Sequence, residues 1–329
     1  VPSGALENDR MMEMNYIVFD LEWNQSPEGK ERSDRYLQFE IVEIGAVKLD
    51  QNRKPIGEFR RLVKPQVYEE LHFKIQEVTG LEMELLLREG QPFEQVIREF
   101  LEWCGPEEYR FCSWGPMDLT ELERNIAYYG MEIPFERPLL YYDIQKLYSL
   151  EYGDGKSRAA LDQAVCEQDL ADEGGFHRAF NDALYTAEIF GKIDMERFGP
   201  YVSVDYYQLP ESGKSYRLSF PEYSKLVSAE FETKEELIKN KEVSDLVCIK
   251  CRRMLRKKIR WFSYGQRFYF AMGICPEHGY MKGKIRVKKS ERELYYGVKT
   301  VKAASEEDLE LLVQKREDNK RKRKSLPKK

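Results

Sequence analysis

Asn15-Tyr16-Ile17-Val18-Phe19-Asp20-Leu21-Glu22-Trp23 is the stretch that decides the fold. It is rich in β-branched and aromatic residues. Ile17, Phe19, Leu21 and Trp23 alternate with Tyr16, Val18, Asp20 and Glu22, the period of a strand. That period puts Asp20 and Glu22 on one face, two residues apart. Two carboxylates on an otherwise apolar strand repel one another and lose hydration, a cost that something positive must offset. A divalent cation with oxygen ligands is the natural partner. The plainer alternative is an edge strand with one wet face.

Reading outward, residues 41–49 (IVEIGAVKL) and 59–63 follow as strands. Asn52, Pro55 and Gly57 lie between them, which is hairpin chemistry, so the first three strands are expected to form an antiparallel meander. Helices and strands then alternate. Phe93, Ile97, Phe100 and Leu101 make a helical stripe, as do Leu119, Leu122, Ile126 and Tyr129. Residues 109–114 and 139–142 read as short strands, and Leu161, Ala164 and Val165 and residues 179–193 as further helices. This order predicts an α/β layered domain with a mixed central sheet, ending near Gly199-Pro200.

Three more residues join the first pair. Asp118 opens a helix, where Asp118-Leu119-Thr120-Glu121 also reads as a capping box. His177 and Asp182 are five positions apart, so they do not share a helix face. They converge only if His177 sits in the loop after Gly174-Gly175 and Asp182 in the first helical turns. A strand bearing D-x-E, a later Asp at a helix start and H-x4-D opening a long helix resemble, in that order, the DEDDh 3′–5′ exonucleases. That family includes the proofreading subunit of bacterial DNA polymerase III, RNase T and the histone-mRNA exonucleases. IVEIGAVKL at 41–49, VTGL at 78–81 and HRAFNDALYTAEIF at 177–190 add to the likeness, which covers about residues 14–198.

The resemblance implies an RNase H-like mixed five-stranded sheet flanked by helices. It also implies two Mg²⁺ or Mn²⁺ ions held by Asp20, Glu22, Asp118 and Asp182. One ion would lower the pKa of the attacking water and the other would stabilise the leaving 3′ oxygen. His177 would be the general base, and 5′-mononucleotides would be released. Where proofreading members follow the Glu with small hydroxyl residues, this chain has Trp23-Asn24. That looks nearer to the RNA-degrading branch, so single-stranded RNA with a free 3′ end is the expected partner, with DNA the alternative. Trp23 reads as a core residue or, less simply, as a platform stacking on a base. His72, before the VTG segment, is not expected to be catalytic.

The rest of the chain has a different character. Residues 201–329 hold 31 Lys and Arg against 18 Asp and Glu, whereas the first 200 hold 22 against 40. An acidic first part joined to a basic second part is a clue about partners. Cys248-x2-Cys251 and Cys275-x2-His278 are paired knuckles of the kind that close a tetrahedral zinc site. The strands expected around Tyr264-Gly265 complete what resembles a zinc ribbon, a small β-rich domain over 248–304 with one structural Zn²⁺. Its Lys257, Lys258 and Arg260 are candidate nucleic-acid contacts. Residues 201–247 read as a connecting segment and 305–329 as a charged helix with a basic tail. Cys104, Cys112 and Cys166 read as reduced core thiols. Residues 1–13 read as a tag remnant and native start, and no long apolar run suggests a membrane span. A cytoplasmic protein is expected. A zinc-containing RNA-binding module on an exonuclease-like scaffold, without catalysis, is the competing function.

Overall fold

A computed structural model describes residues 14–170 and 175–325. The expected tag remnant and the last four residues of the basic tail lie outside the described residues. The chain divides into two units, Val1–Tyr207 and Gln208–Lys329.

The first unit begins with β1 (Asn15–Asn24), β2 (Glu40–Leu49) and β3 (Pro55–Leu62). Helices α1 (Phe73–Thr79), α2 (Met83–Glu89) and α3 (Phe93–Cys104) follow, then β4 (Tyr109–Ser113), α4 (Met117–Tyr128) and β5 (Leu140–Asp143). It closes with α5 (Ile144–Glu151), α6 (Leu161–Glu167), α7 (Ala179–Lys192), α8 (Met195–Phe198) and β6 (Ser203–Val204). The sheet order is β3-β2-β1-β4-β5-β6. The first three strands form the expected antiparallel meander, and β4 and β5 extend the sheet in parallel from β1. The sheet has six strands rather than five. The sixth is a two-residue piece paired antiparallel with β5, too short to leave a period in the sequence.

The alternation along β1 sorts its side chains between two layers. Ile17, Phe19 and Leu21 enter the apolar core with Val96, Ile97 and Phe100 of α3 and Leu119, Leu122 and Ile126 of α4. Phe19 lies 5.3 Å from Phe111 and Phe59 lies 5.3 Å from Phe100, ring centre to ring centre. Each such buried ring stabilises the fold by roughly 2–3 kcal/mol. Tyr16 turns the other way, onto Phe190 of α7 at 5.1 Å. Asp20 and Glu22 share this second face.

Gly45 of β2, the register partner of Asp20, sets how closely α7 approaches. A Cβ at Gly45 would come within 2.1 Å of the Phe180 backbone nitrogen. Only a glycine allows the first turn of α7 to rest on the sheet here. Arg53 of the β2–β3 turn donates to the carbonyls of Phe190 and Ile193, both at 2.6 Å, and so closes the far end of α7.

The second unit contains β7 (Tyr216–Ser219), β8 (Tyr223–Val227), α9 (Lys234–Lys239) and α10 (Lys241–Ser244). They are followed by β9 (Arg256–Tyr264), β10 (Phe268–Cys275), β11 (Gly279–Lys289), β12 (Tyr295–Ala304) and α11 (Glu306–Ser325). All pairings are antiparallel, in the order β7-β8-β12-β11-β10-β9. The zinc-ribbon-like turns are thus part of a larger sheet.

The expected connector over 201–247 is not one. Residues 201–207 belong to the first unit, and those from 208 supply two strands and two short helices to the second. Its pairing with β12 is long-range, which local patterning does not reveal. Cys104 and Cys112 are buried as expected, but Cys166 is exposed, because Ala164 and Val165 take the buried side of short α6. Among the described residues no helix is long and apolar enough to cross a membrane.

Candidate active site

β1 supplies Asp20 and Glu22, α4 supplies Asp118 and the first turn of α7 supplies Asp182. One oxygen from each of Asp20, Glu22 and Asp182 lies within 4.8 Å of the others. Asp118 is close enough to act electrostatically on both Asp20 and Glu22. It is not a helix cap: Pro116 holds that position, and Asp118 sits buried in the first turn. The backbone N–H of Leu21 acts to lower its pKa, so Asp118 stands against β1 beside the acidic pair. The capping-box pattern therefore marked the right place for a different reason.

Burial is the main force on these groups, and mutual repulsion adds to it. Burial pushes Glu22 up to about 8, helped by Asp182 and Glu43. It lifts Asp118 to about 7 and Asp182 to about 6, the latter in spite of the His177 backbone N–H. Asp20 is raised well above the carboxylate range, first by burial and then by Asp118, Asp182 and Glu22. Four acids are thus gathered at a place where none prefers to ionise alone. A hard cation, at about 2.0–2.6 Å from each oxygen, fits both the spacing and the charge.

The turn before α7 is built to aim Asp182. His177 adopts φ 65°, a left-handed conformation costly for a non-glycine residue. Its backbone N–H points at the Asp182 oxygens, at 3.2 and 3.4 Å. Its side chain is exposed. Arg178, the N-cap residue of α7, makes a two-pronged ion pair with Glu43 at 2.8 and 3.0 Å. Glu43 is nearly buried and also takes the Ala179 N–H at 3.4 Å.

Sequence reasoning gave Glu43 and Arg178 no role. Glu43 stands opposite Glu22 across the β1–β2 register, and its signal was a lone acid within the apolar IVEIGAV run.

Trp23 follows a β-bulge and packs, half-buried, on the core, 5.7 Å from Phe39. Asn24 is fully buried. It donates to the Glu70 carbonyl and accepts the His72 N–H, both at 2.9 Å. His72 caps α1 through Nδ1. The Trp23-Asn24 departure from the proofreading pattern is therefore occupied with packing the loop ahead of α1.

In the second unit Cys248, Cys251, Cys275 and His278 each offer a ligand atom within 4.8 Å of the rest. The Cys251 and Cys275 sulfurs are 3.6 Å apart, and His278 Nδ1 is 3.6 Å from Cys275 Sγ. Zinc–sulfur bonds of about 2.3 Å imply nearly that sulfur separation, about 3.8 Å. Each pair sits in a tight turn. The first is flanked by the Val247–Met254 bridge, and the second joins β10 to β11 through Gly279 at φ 71°. Burial acts to raise the Cys275 thiol, but the Glu277 backbone N–H, the His278 side chain and backbone N–H and the Cys251 thiol together outweigh it and bring it down to about 6. That favours the thiolate a metal needs.

The three cations singled out on β9 part company. Lys258 and Arg260 are exposed on the bulged edge strand. Lys257 is half-buried and close enough to Lys299 to depress its charge.

The family model described as "Exonuclease", of the RNase T type, matches residues 17–190. Among curated proteins, DNA polymerase III subunit epsilon of Aquifex aeolicus (strain VF5) is 28% identical over 216 residues, 65% of this chain and 98% of that protein. Among solved structures, a full-length 3′-exonuclease is 17% identical with a TM-score of 0.50, covering 63% of this chain and 94% of that one. The nuclease domain of 3′hExo, described as a DEDDh family member bound to rAMP, is 18% identical with a TM-score of 0.48, covering 59% and 96%. At such identity the 3′-exonuclease likeness speaks to fold alone.

Proposed function

The chain belongs to the RNase T exonuclease family, in its DEDDh 3′–5′ branch, and from this premise we propose that it removes 5′-mononucleotides one at a time from the 3′ end of single-stranded nucleic acid. The observation that carries the reading is the meeting of Asp20, Glu22 and Asp182 within 4.8 Å, with Asp118 beside them. Asp20, Glu22 and Asp182 hold divalent cations of the Mg²⁺ or Mn²⁺ kind, and Asp118 completes the set. When bound, the cations supply a more acidic water and a stabilised leaving oxygen.

The chain's own residues do the rest. The Gly45 contact and the Glu43–Arg178 pair fix the first turn of α7, so that Asp182 meets the β1 acids. His177, exposed at the turn beside them, takes the proton of the attacking water, the part of a positioned imidazole in general base catalysis. In the second unit Cys248, Cys251, Cys275 and His278 hold one Zn²⁺ in a closed, structural site.

RNA is favoured over DNA on the resemblance of the first-strand sequence to the RNA-degrading branch. The DNA reading draws support from the 28% identity to a DNA polymerase subunit. Matched RNA and DNA strands, free or blocked at the 3′ end, test both in the full chain. Hydrolysis should require Mg²⁺ or Mn²⁺ and a free 3′ end. Asp20→Ala and Asp182→Ala should each lower the rate by about 10³-fold or more, a barrier increase of about 4 kcal/mol. Folded variants that digest as fast as the parent would overturn the assignment of these residues, and a parent chain that digests neither strand would leave the binding-module alternative.

A further inference from the structure

Strand β11 divides its residues cleanly. Met281, Ile285 and Val287 pack into the unit's core, while Lys282, Lys284 and Arg286 face the other way, about 7 Å apart along the strand. The register places Lys302 of β12 directly opposite Lys282, and Phe268 of β10 opposite Arg286. The Lys284 ammonium lies 4.7 Å from the centre of the half-exposed Phe268 ring, and the Arg286 guanidinium 5.9 Å. Lys315 of α11 leans onto the same face, 4.4 Å from the Tyr264 ring.

Asp308 pairs with Lys282 at 2.7 Å. Among the described residues no carboxylate forms an ion pair with Lys284, Arg286 or Lys315, and Asp308 reaches Lys302 only at longer range. Like charges set opposite one another across strands destabilise a sheet, so the fold gains nothing from this arrangement. Lys284 registers the crowding. Its ammonium is pushed down by burial and then by Arg286, Lys315, Lys282 and Lys302. Lys258 and Arg260 differ, because charge on a bulged edge strand already has a structural use in blocking unwanted strand pairing.

We propose that this face of the second unit binds single-stranded nucleic acid, with Lys284, Arg286 and Lys302 on successive phosphates and a base stacked on Phe268. The row of cations suits an extended polyanion, and the ring suits a base without regard to its identity. The choice of nucleic acid among polyanions rests on the proposed exonuclease activity.

The test is binding without turnover. The full chain carrying Asp182→Asn is titrated against labelled oligouridylate and oligothymidylate by fluorescence anisotropy over a range of salt. Lys284→Gln/Arg286→Gln/Lys302→Gln should weaken binding by about tenfold or more at low salt, and should flatten the slope of log affinity against log salt by about 2, at roughly 0.7 per neutralised phosphate contact. Lys284→Gln alone should remove about a third of that slope. Lys284→Arg/Lys302→Arg, which keeps the charge, should retain the affinity. Lys258→Gln/Arg260→Gln should change it by less than about threefold.

Parent affinity and slope in the triple variant would overturn the proposal. So would an equal loss in the edge-strand pair, or tighter binding to phosphatidylserine vesicles than to either oligonucleotide at matched phosphate. Hydrolysis by the parent chain is scored separately. An inactive parent would sink the exonuclease reading and leave the binding result standing, and the reverse also holds.

Discussion

The two metal-type clusters of this chain are built in opposite ways. The acidic one draws its residues from three distant segments, β1, α4 and α7, and buries them until Glu22, Asp118 and Asp182 all resist ionising. The cysteine–histidine one draws on two tight turns 23 residues apart in sequence, and local backbone N–H groups already favour its Cys275 thiolate. The first is oxygen-rich and electrostatically unfinished, as suits cations that must also accept a substrate. The second is complete in itself, as suits an ion that holds two turns together. The lesson is that a fold can gather an acidic cluster against local preference, whereas the cysteine–histidine one is prepared by its own turns.

Breaking the local cluster should have the larger effect on folding. Cys275→Ser removes a ligand from a closed site whose metal is worth roughly 10–16 kcal/mol in small zinc domains. Loss of zinc, measured by elemental analysis, should make residues 208–325 sensitive to protease while residues 14–207 resist it. Equal resistance in both units without zinc would show that the second unit keeps its fold without a metal in the cysteine–histidine cluster.

The acidic cluster should break through its scaffold at lower cost. Gly45→Ala puts a methyl group against the Phe180 backbone, and overpacking of that kind costs about 1–3 kcal/mol, occasionally more. Thermal stability should fall. Hydrolysis should fall further than stability explains, because the first turn of α7 and Asp182 lift away from Asp20. A variant with normal activity and lowered stability would show that the close approach serves packing alone.

Most of this was legible where a local signal exists. The β1 alternation placed Asp20 and Glu22 on one face, and hairpin chemistry gave the meander. The loop position of His177 followed from the five-residue spacing. The knuckles followed from cysteine spacing. What escaped depends on register between distant segments. Glu43 matters because it faces Glu22 across a strand pair and catches Arg178, and neither contact leaves a periodic trace. Residues 216–227 escaped because β8, which carries β7 beside it, pairs with β12 some seventy residues on. The cation face escaped because the charge of residues 201–329 was taken as a whole, whereas alternation on β11 sets Lys282, Lys284 and Arg286 on one side of the strand. Asp118 was legible from its place in the order of acidic residues, while the capping box read beside it gives way to Pro116 at the cap.

The smallest expected effect tests whether the acidic cluster is electrostatically unfinished. Burial raises Glu22 to about 8, Asp118 to about 7 and Asp182 to about 6, all above their unfolded values. Without Mg²⁺ or Mn²⁺ the folded chain therefore holds protons that the unfolded chain has already released. That contribution is fully present below the unfolded pKa range, near pH 4, and is lost as pH rises through the folded range, about 6 to 8. The first unit should lose stability steadily between about pH 5 and about pH 8 when only zinc is supplied. Added Mn²⁺ should reverse the trend, because the cation competes with protons for the same oxygens. Its stabilising effect should grow with pH, and its apparent affinity should rise over the same interval. Thermal melts across this pH range, with and without Mn²⁺, give the answer. A Mn²⁺ effect independent of pH would mean that the carboxylates are already ionised in the free protein, and that the contrast with the cysteine cluster is one of ligand type alone.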